Sequence, residues 1–114
     1  MEKIVEQSLL YDFYGEMLNE HQRRIYEDAV FNDLSLGEIA AQEGISRQGV
    51  HDLLRRCNKS LEEYESKLHL MERYLHVKEK VSQIKQLAHG FSEQPDLETM
   101  AKIEMISNDI LEEL

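Results

Sequence analysis

Apolar positions in this 114-residue chain recur at steps of three and four along most of its length. That is the period of helices that bury one face. Leu10, Phe13, Tyr14, Met17 and Leu18 form the first such face. Gly15 weakens it by roughly 1 kcal/mol relative to alanine, so a break is expected there. Asn19 and Gln22 have the spacing of a capping box, in which each side chain takes up an orphan amide at a helix start. The pattern therefore predicts a second helix over residues 20–31, with Ile25, Ala29 and Val30 inward, ended by Asn32 and Asp33. Ser35 and Glu38 repeat the capping signature and open a short helix with Leu36, Ile39 and Ala40 inward. Gly44 gives the backbone freedom that a helix C-terminus favours, and Ser46 caps the helix that follows.

From Val50 the apolar residues continue through Leu54, Cys57, Leu61, Tyr64, Leu68 and Met71 as a heptad-like seam. At Met71 the phase slips, and Tyr74, Val77, Val81, Ile84 and Ala88 follow. No glycine or proline interrupts residues 50–89, and one helix over residues 46–89 would be roughly 65 Å long. Either that helix breaks at Asn58, Lys59 and Ser60 (where Ser60 and Glu63 again have capping spacing), or it breaks at the phase slip, or it projects and needs a partner. Gly90, Gln94 and Pro95 end the region, and Asp96 caps a last helix carrying Leu97, Met100, Ile103, Ile106, Ile110 and Leu114. The expected organisation is an N-terminal helical and helix-turn-helix part, residues 1–60, followed by a helical extension, residues 61–114. The extension offers more apolar face than a tri-helical core covers. It either packs back on the first helices or is covered in a symmetric homodimer, and the homodimer is the expectation.

Residues 36–53 carry the specific information. A helix-turn-helix needs a small residue where its helices cross, a glycine at the turn and apolar residues at fixed later offsets. Ala40, Gly44 and the set Ile39, Ile45, Val50 and Leu53 meet those needs. Ser46, Arg47, Gln48, His51, Asp52, Arg55, Arg56 and Lys59 are left as the candidate nucleic-acid-binding face. Arginine suits guanine or phosphate and glutamine suits adenine, whereas Asp52 opposes phosphate unless it accepts from a cytosine amino group. Gly49 lowers helicity within the same turn and offers no side chain.

Charge changes this picture. Thirteen Lys and Arg oppose 23 Asp and Glu, for a net charge of −10. Residues 1–34 carry −5, residues 35–60 carry +1, residues 61–91 are balanced and residues 92–114 carry −6. The acidity lies at the two ends, and the only basic excess is in the helix-turn-helix. A small oriented contact with nucleic acid is compatible with that distribution, but strong non-specific affinity is not.

The stretch from Asn19 through Asp33-Leu-Ser-Leu-Gly-Glu-Ile-Ala to Gly44-Ile-Ser-Arg-Gln-Gly-Val-His-Asp-Leu-Leu-Arg-Arg resembles the promoter-recognition helix-turn-helix of bacterial sigma factor region four. Together with Leu61-Glu-Glu-Tyr-Glu-Ser-Lys-Leu-His-Leu, it resembles more closely the YlxM family of small helix-turn-helix proteins, which are linked to the signal recognition particle pathway. The resemblance implies an all-α fold: a sigma region four-like tri-helical core with a long C-terminal extension. It also implies a cytoplasmic regulatory or accessory protein whose partner is DNA, the signal recognition particle RNA or a protein of that particle. The alternative is a DNA-binding transcriptional regulator. By matched position, Ser46, Arg47 and Gln48 begin the recognition helix. His51 and Gly49 depart from the family's aromatic residue and alanine.

Other constellations add little. His69, Glu72 and His76 share helical spacing without a fourth metal ligand, and read as a polar stripe. Cys57 lies on an apolar face with no nearby histidine and reads as a small core residue. Without a phosphate-binding glycine loop or a catalytic constellation, no enzymatic activity, cofactor or metal is expected. No stretch approaches the roughly 18 apolar residues of a membrane span.

Overall fold

In the computed structural model, which describes residues 1–114, the chain is all-α. Helix α1 spans Lys3–Tyr14, α2 Glu20–Val30, α3 Leu36–Glu43, α4 Arg47–Leu68, α5 Leu70–Glu93 and α6 Leu97–Glu113, with a single 3-10 turn at Gly15–Met17. Two compact units form, Met1–Met71 and Glu72–Leu114. No helix is long and apolar enough to cross a membrane.

The caps legible in the sequence set the helix starts of the first unit. Asn19 Oδ1 accepts from the Gln22 amide at 2.8 Å, and Gln22 Oε1 accepts from the Asn19 amide at 3.0 Å. Ser35 and Glu38 form the same reciprocal pair at 3.1 and 3.2 Å. Gly15 ends α1 as expected, but for a further reason: it is buried, and a Cβ there would lie 2.8 Å from the Tyr11 ring. That ring stacks on Tyr26 with centroids 5.3 Å apart.

Two apolar clusters hold the first unit. Ile25, Ile39, Ala40 and Val50 join α2, α3 and α4 into the tri-helical helix-turn-helix. Leu10, Tyr14, Leu18, Tyr26, Cys57 and Leu61 join α1 to α2 and the second half of α4. Leu53 and Leu54 touch both clusters. Each leucine, isoleucine or valine so buried contributes about 1.5–3 kcal/mol. Leu36 and Ile45, expected inward, are instead exposed at 38% and 39%. They sit where α3 begins and where the turn bends, beyond the reach of the helix crossing. Tyr26, missing from the inward set, is fully buried.

Helix α4 passes through Asn58, Lys59 and Ser60 without a break, because Asn58 has another use: its Oδ1 accepts from the Tyr26 hydroxyl at 2.8 Å. The break falls at His69, beside the phase slip, where the backbone takes a left-handed turn at φ 57°. Tyr14 and Glu65 satisfy the amides that open α5. The Tyr14 hydroxyl donates to Glu65 Oε1 at 2.5 Å and accepts from the Leu70 amide at 3.1 Å. Glu65 Oε1 also accepts from the Met71 amide at 2.9 Å.

In the second unit α5 runs through Gly90 to Glu93. Asp96 caps α6 by accepting from the Thr99 amide at 2.7 Å and the Thr99 hydroxyl at 2.9 Å, and these bonds hold its carboxyl below the usual carboxylate range. The two helices meet as an antiparallel hairpin. Near its open end, Glu113 takes His76 Nδ1 at 2.8 Å and Lys80 Nζ at 3.3 Å. His76 is therefore engaged across the hairpin. No residue of this unit is fully buried.

Candidate nucleic-acid interface

Helices α3 and α4 are joined by three residues, Gly44, Ile45 and Ser46. Gly44 sits at φ 69°, in the left-handed region where a side chain costs about 1–2 kcal/mol. The Ile45 amide returns to the Ala40 carbonyl at 3.1 Å, which closes the turn. Ser46 Oγ then accepts from the Gly49 amide at 3.0 Å and caps α4. A Cβ on Gly49 would lie 3.2 Å from that same Oγ. The glycine that looked weak as a helix former leaves room for the capping hydroxyl. The remaining free amides of the first turn give this end of α4 a partial positive charge.

A second clamp fixes the turn to α2. Arg24 donates to both oxygens of Glu43 at 2.8 Å, and His21 Nε2 lies 3.6 Å from Glu43 Oε2. The Arg24 hydrogen bond is the main reason the Glu43 carboxyl is held below its ordinary value. A lowered folded value means the clamp is complete above the unfolded carboxylate range and is lost as pH falls through the folded one. Glu43→Gln is therefore expected to flatten the acid limb of stability below about pH 4.3 relative to the parent chain, measured by urea unfolding at a series of pH values.

The candidate side chains divide by their place on α4. Gln48, Asp52, Arg55 and Lys59, at steps of four, three and four, form one stripe on the side opposite Val50 and Cys57. Arg47 and His51 lie on one flank of that stripe, and Arg56 on the other. All of these and Ser46 are exposed except Asp52, which is half-buried. Gln48 Nε2 donates to Asp52 Oδ1 at 3.0 Å, and His51 Nδ1 stands 3.7 Å from the same oxygen. Asp52 is thus neighboured by two polar groups within the helix, and Gln48 must leave it to reach a base.

Arg47 is placed by a residue absent from the candidate set. Its guanidinium lies against Gly37 in the first turn of α3, where an added Cβ would be 3.1 Å from both Nε and Nη2. The only signal in the sequence was a glycine inside a short helix, where it carries a propensity cost. Four cations and one carboxylate along the exposed side of α4 from Arg47 to Lys59 make a surface suited to phosphate contacts and a few base edges.

The whole first unit and much of the second have known counterparts. The model of the UPF0122 family, YlxM / p13-like helix-turn-helix proteins, matches residues 1–103. A UPF0122 protein of Thermoanaerobacter sp. (strain X514) is 44% identical over 106 residues, covering 92% of this chain and 91% of its own. One of Caldanaerobacter subterraneus subsp. tengcongensis is 49% identical over 79 residues, covering 69% of this chain and 68% of its own. The UPF0122 protein YlxM of Bacillus subtilis is 36% identical over 97 residues, covering 85% and 88%.

Proposed function

The chain belongs to the UPF0122 family of YlxM / p13-like helix-turn-helix proteins, and from that premise we propose a regulatory or accessory role exercised by binding nucleic acid through the outer face of α4. The observation that carries this reading is the capped, exposed start of α4, with Arg47, Arg55, Arg56 and Lys59 around one stripe. The finer reading is an accessory protein of the signal recognition particle pathway, working in the cytoplasm as a homodimer. Its support is the resemblance of residues 9–75 to the YlxM family, together with a net charge of −10 that disfavours tight non-specific binding.

Affinity capture of the full chain from its native extract tests the reading, with the particle's RNA and protein quantified before and after nuclease treatment. The RNA is expected to be enriched and then lost on nuclease treatment. Enrichment of neither overturns the pathway assignment. The second reading, a transcriptional regulator, rests on the exposure of Arg47 at the helix start and of Arg55 two turns further along. It requires random-sequence DNA selection at low salt to yield a motif above background.

A further inference from the structure

Each helix of the second unit carries two stripes. One is half-buried, Val77, Ile84 and Phe91 on α5 and Ile103, Ile106 and Ile110 on α6, and we take it as the seam on the inward side of the hairpin. The other is exposed. On α5 it runs Lys78, Val81, Lys85 and Ala88. On α6 it runs Leu97, Met100, Glu104, Leu111 and Leu114. Its large apolar members, Val81, Leu97, Met100, Leu111 and Leu114, are open to solvent, from 49% exposed at Met100 to 88% at Leu97. At 3.6 residues per turn, each exposed stripe lies about 100° round from its own seam. The rotation has the same sense along both helices, and on antiparallel helices that puts the two stripes on one side of the hairpin. The result is a two-helix apolar face with lysines on one half and a glutamate on the other.

We infer that this face is the homodimer interface, covered by the same face of a second copy to make a four-helix bundle in which α5 of each copy packs on α6 of the other. The inference rests on the homodimer in the proposed reading and deepens it by naming the surface. Charge selects both the occupant and the geometry. Helix α5 carries four Lys and Arg against three acids, whereas α6 carries Lys102 against five. A face with both signs on its two halves is complementary to itself under a twofold axis parallel to the helices. A twofold axis across the helices would set the lysine-bearing stripe of α5 on its own copy. Under the parallel axis, levels along the bundle are kept. The His76 and Lys80 contacts to Glu113 fix those levels within the hairpin. Counting from them, Lys85 of one copy stands within about one helical turn of Glu104 of the other.

The test is the mass of the full chain in solution, by light scattering and sedimentation across a concentration series. The parent chain is expected at twice 13.4 kDa. Lys85→Glu and Glu104→Lys are each expected to raise the dimer dissociation constant at least tenfold, because each puts like charges together twice. Mixed one to one, these two variants are expected to regain a dimer, since both contacts are then of opposite sign. Leu111→Asp should be monomeric with an unchanged circular dichroism spectrum, because Leu111 is 70% exposed and not needed for the fold of one copy. A monomeric parent chain overturns both the homodimer and this surface. A dimeric parent chain whose charge variants stay dimeric, or whose mixture fails to recover, overturns this surface and leaves the homodimer standing.

Discussion

Tyr14→Phe is expected to lower the unfolding free energy by about 1–3 kcal/mol, although it keeps the ring and the shape of the core. Tyr14 is 1% exposed, so its hydroxyl has no water to fall back on. That hydroxyl donates to Glu65 and accepts from the Leu70 amide, and Glu65 in turn accepts from the Met71 amide. Removing one oxygen leaves the Leu70 amide without its acceptor and takes a donor from a partly buried carboxylate. The cost is that of unsatisfied groups, with no cavity added. Urea unfolding should show a lower midpoint at constant slope. Hydrogen exchange should quicken first at Leu70, and that local signature separates loss of the network from general loosening. A cost within about 0.3 kcal/mol, with Leu70 still protected, would show that the break at His69 is held by something else.

The same network marks the limit of what was legible in the sequence. Capping boxes, the glycine turn and the tri-helical pattern are local chemistry, and Asn19, Ser35, Gly44 and Ser46 all sit where their spacing placed them. The break in the long helical stretch is a tertiary matter. Asn58, Lys59 and Ser60 have the local signals of a helix boundary, yet Asn58 is held inside α4 by the hydroxyl of Tyr26, 32 residues earlier. His69 has no such local signal, and the partners that fix the turn beside it include Tyr14, more than fifty residues earlier. Periodicity marked the slip at Met71 but had no means of weighing it against the capping signal.

The candidate site was legible in a similar, partial way. Exposure of the α4 face follows from the period that buries Val50 and Cys57, so its members could be named from spacing alone. The contacts within that face could not. The Gln48–Asp52 hydrogen bond is a helix i, i+4 pairing that spacing permits without requiring, and the Gly37–Arg47 contact joins two helices. Gly49 looked like a cost to helicity, and Gly37, which the spacing did not single out, carries the same propensity cost. Each makes room for a side chain of the candidate face, the capping hydroxyl of Ser46 in the first case and the Arg47 guanidinium in the second.

The second large effect concerns binding and has opposite signs at two neighbouring positions. Arg47→Ala is expected to weaken the chain's affinity for its selected nucleic acid by about 1–3 kcal/mol and to relax preference at one base position. Arg47 is the first residue of the capped α4, and its guanidinium is held against Gly37 of α3. Asp52→Asn keeps the shape of the Gln48 partner and removes the one carboxylate from the stripe, so it is expected to tighten binding severalfold at low salt. Fluorescence anisotropy over a salt series separates the two causes. A lost phosphate contact lowers the salt slope by about 1, whereas a lost base contact changes sequence preference at constant slope. If Arg47→Ala binds as the parent does and Asp52→Asn has no effect, the outer face of α4 is a solvated surface, and nucleic acid is not its ligand.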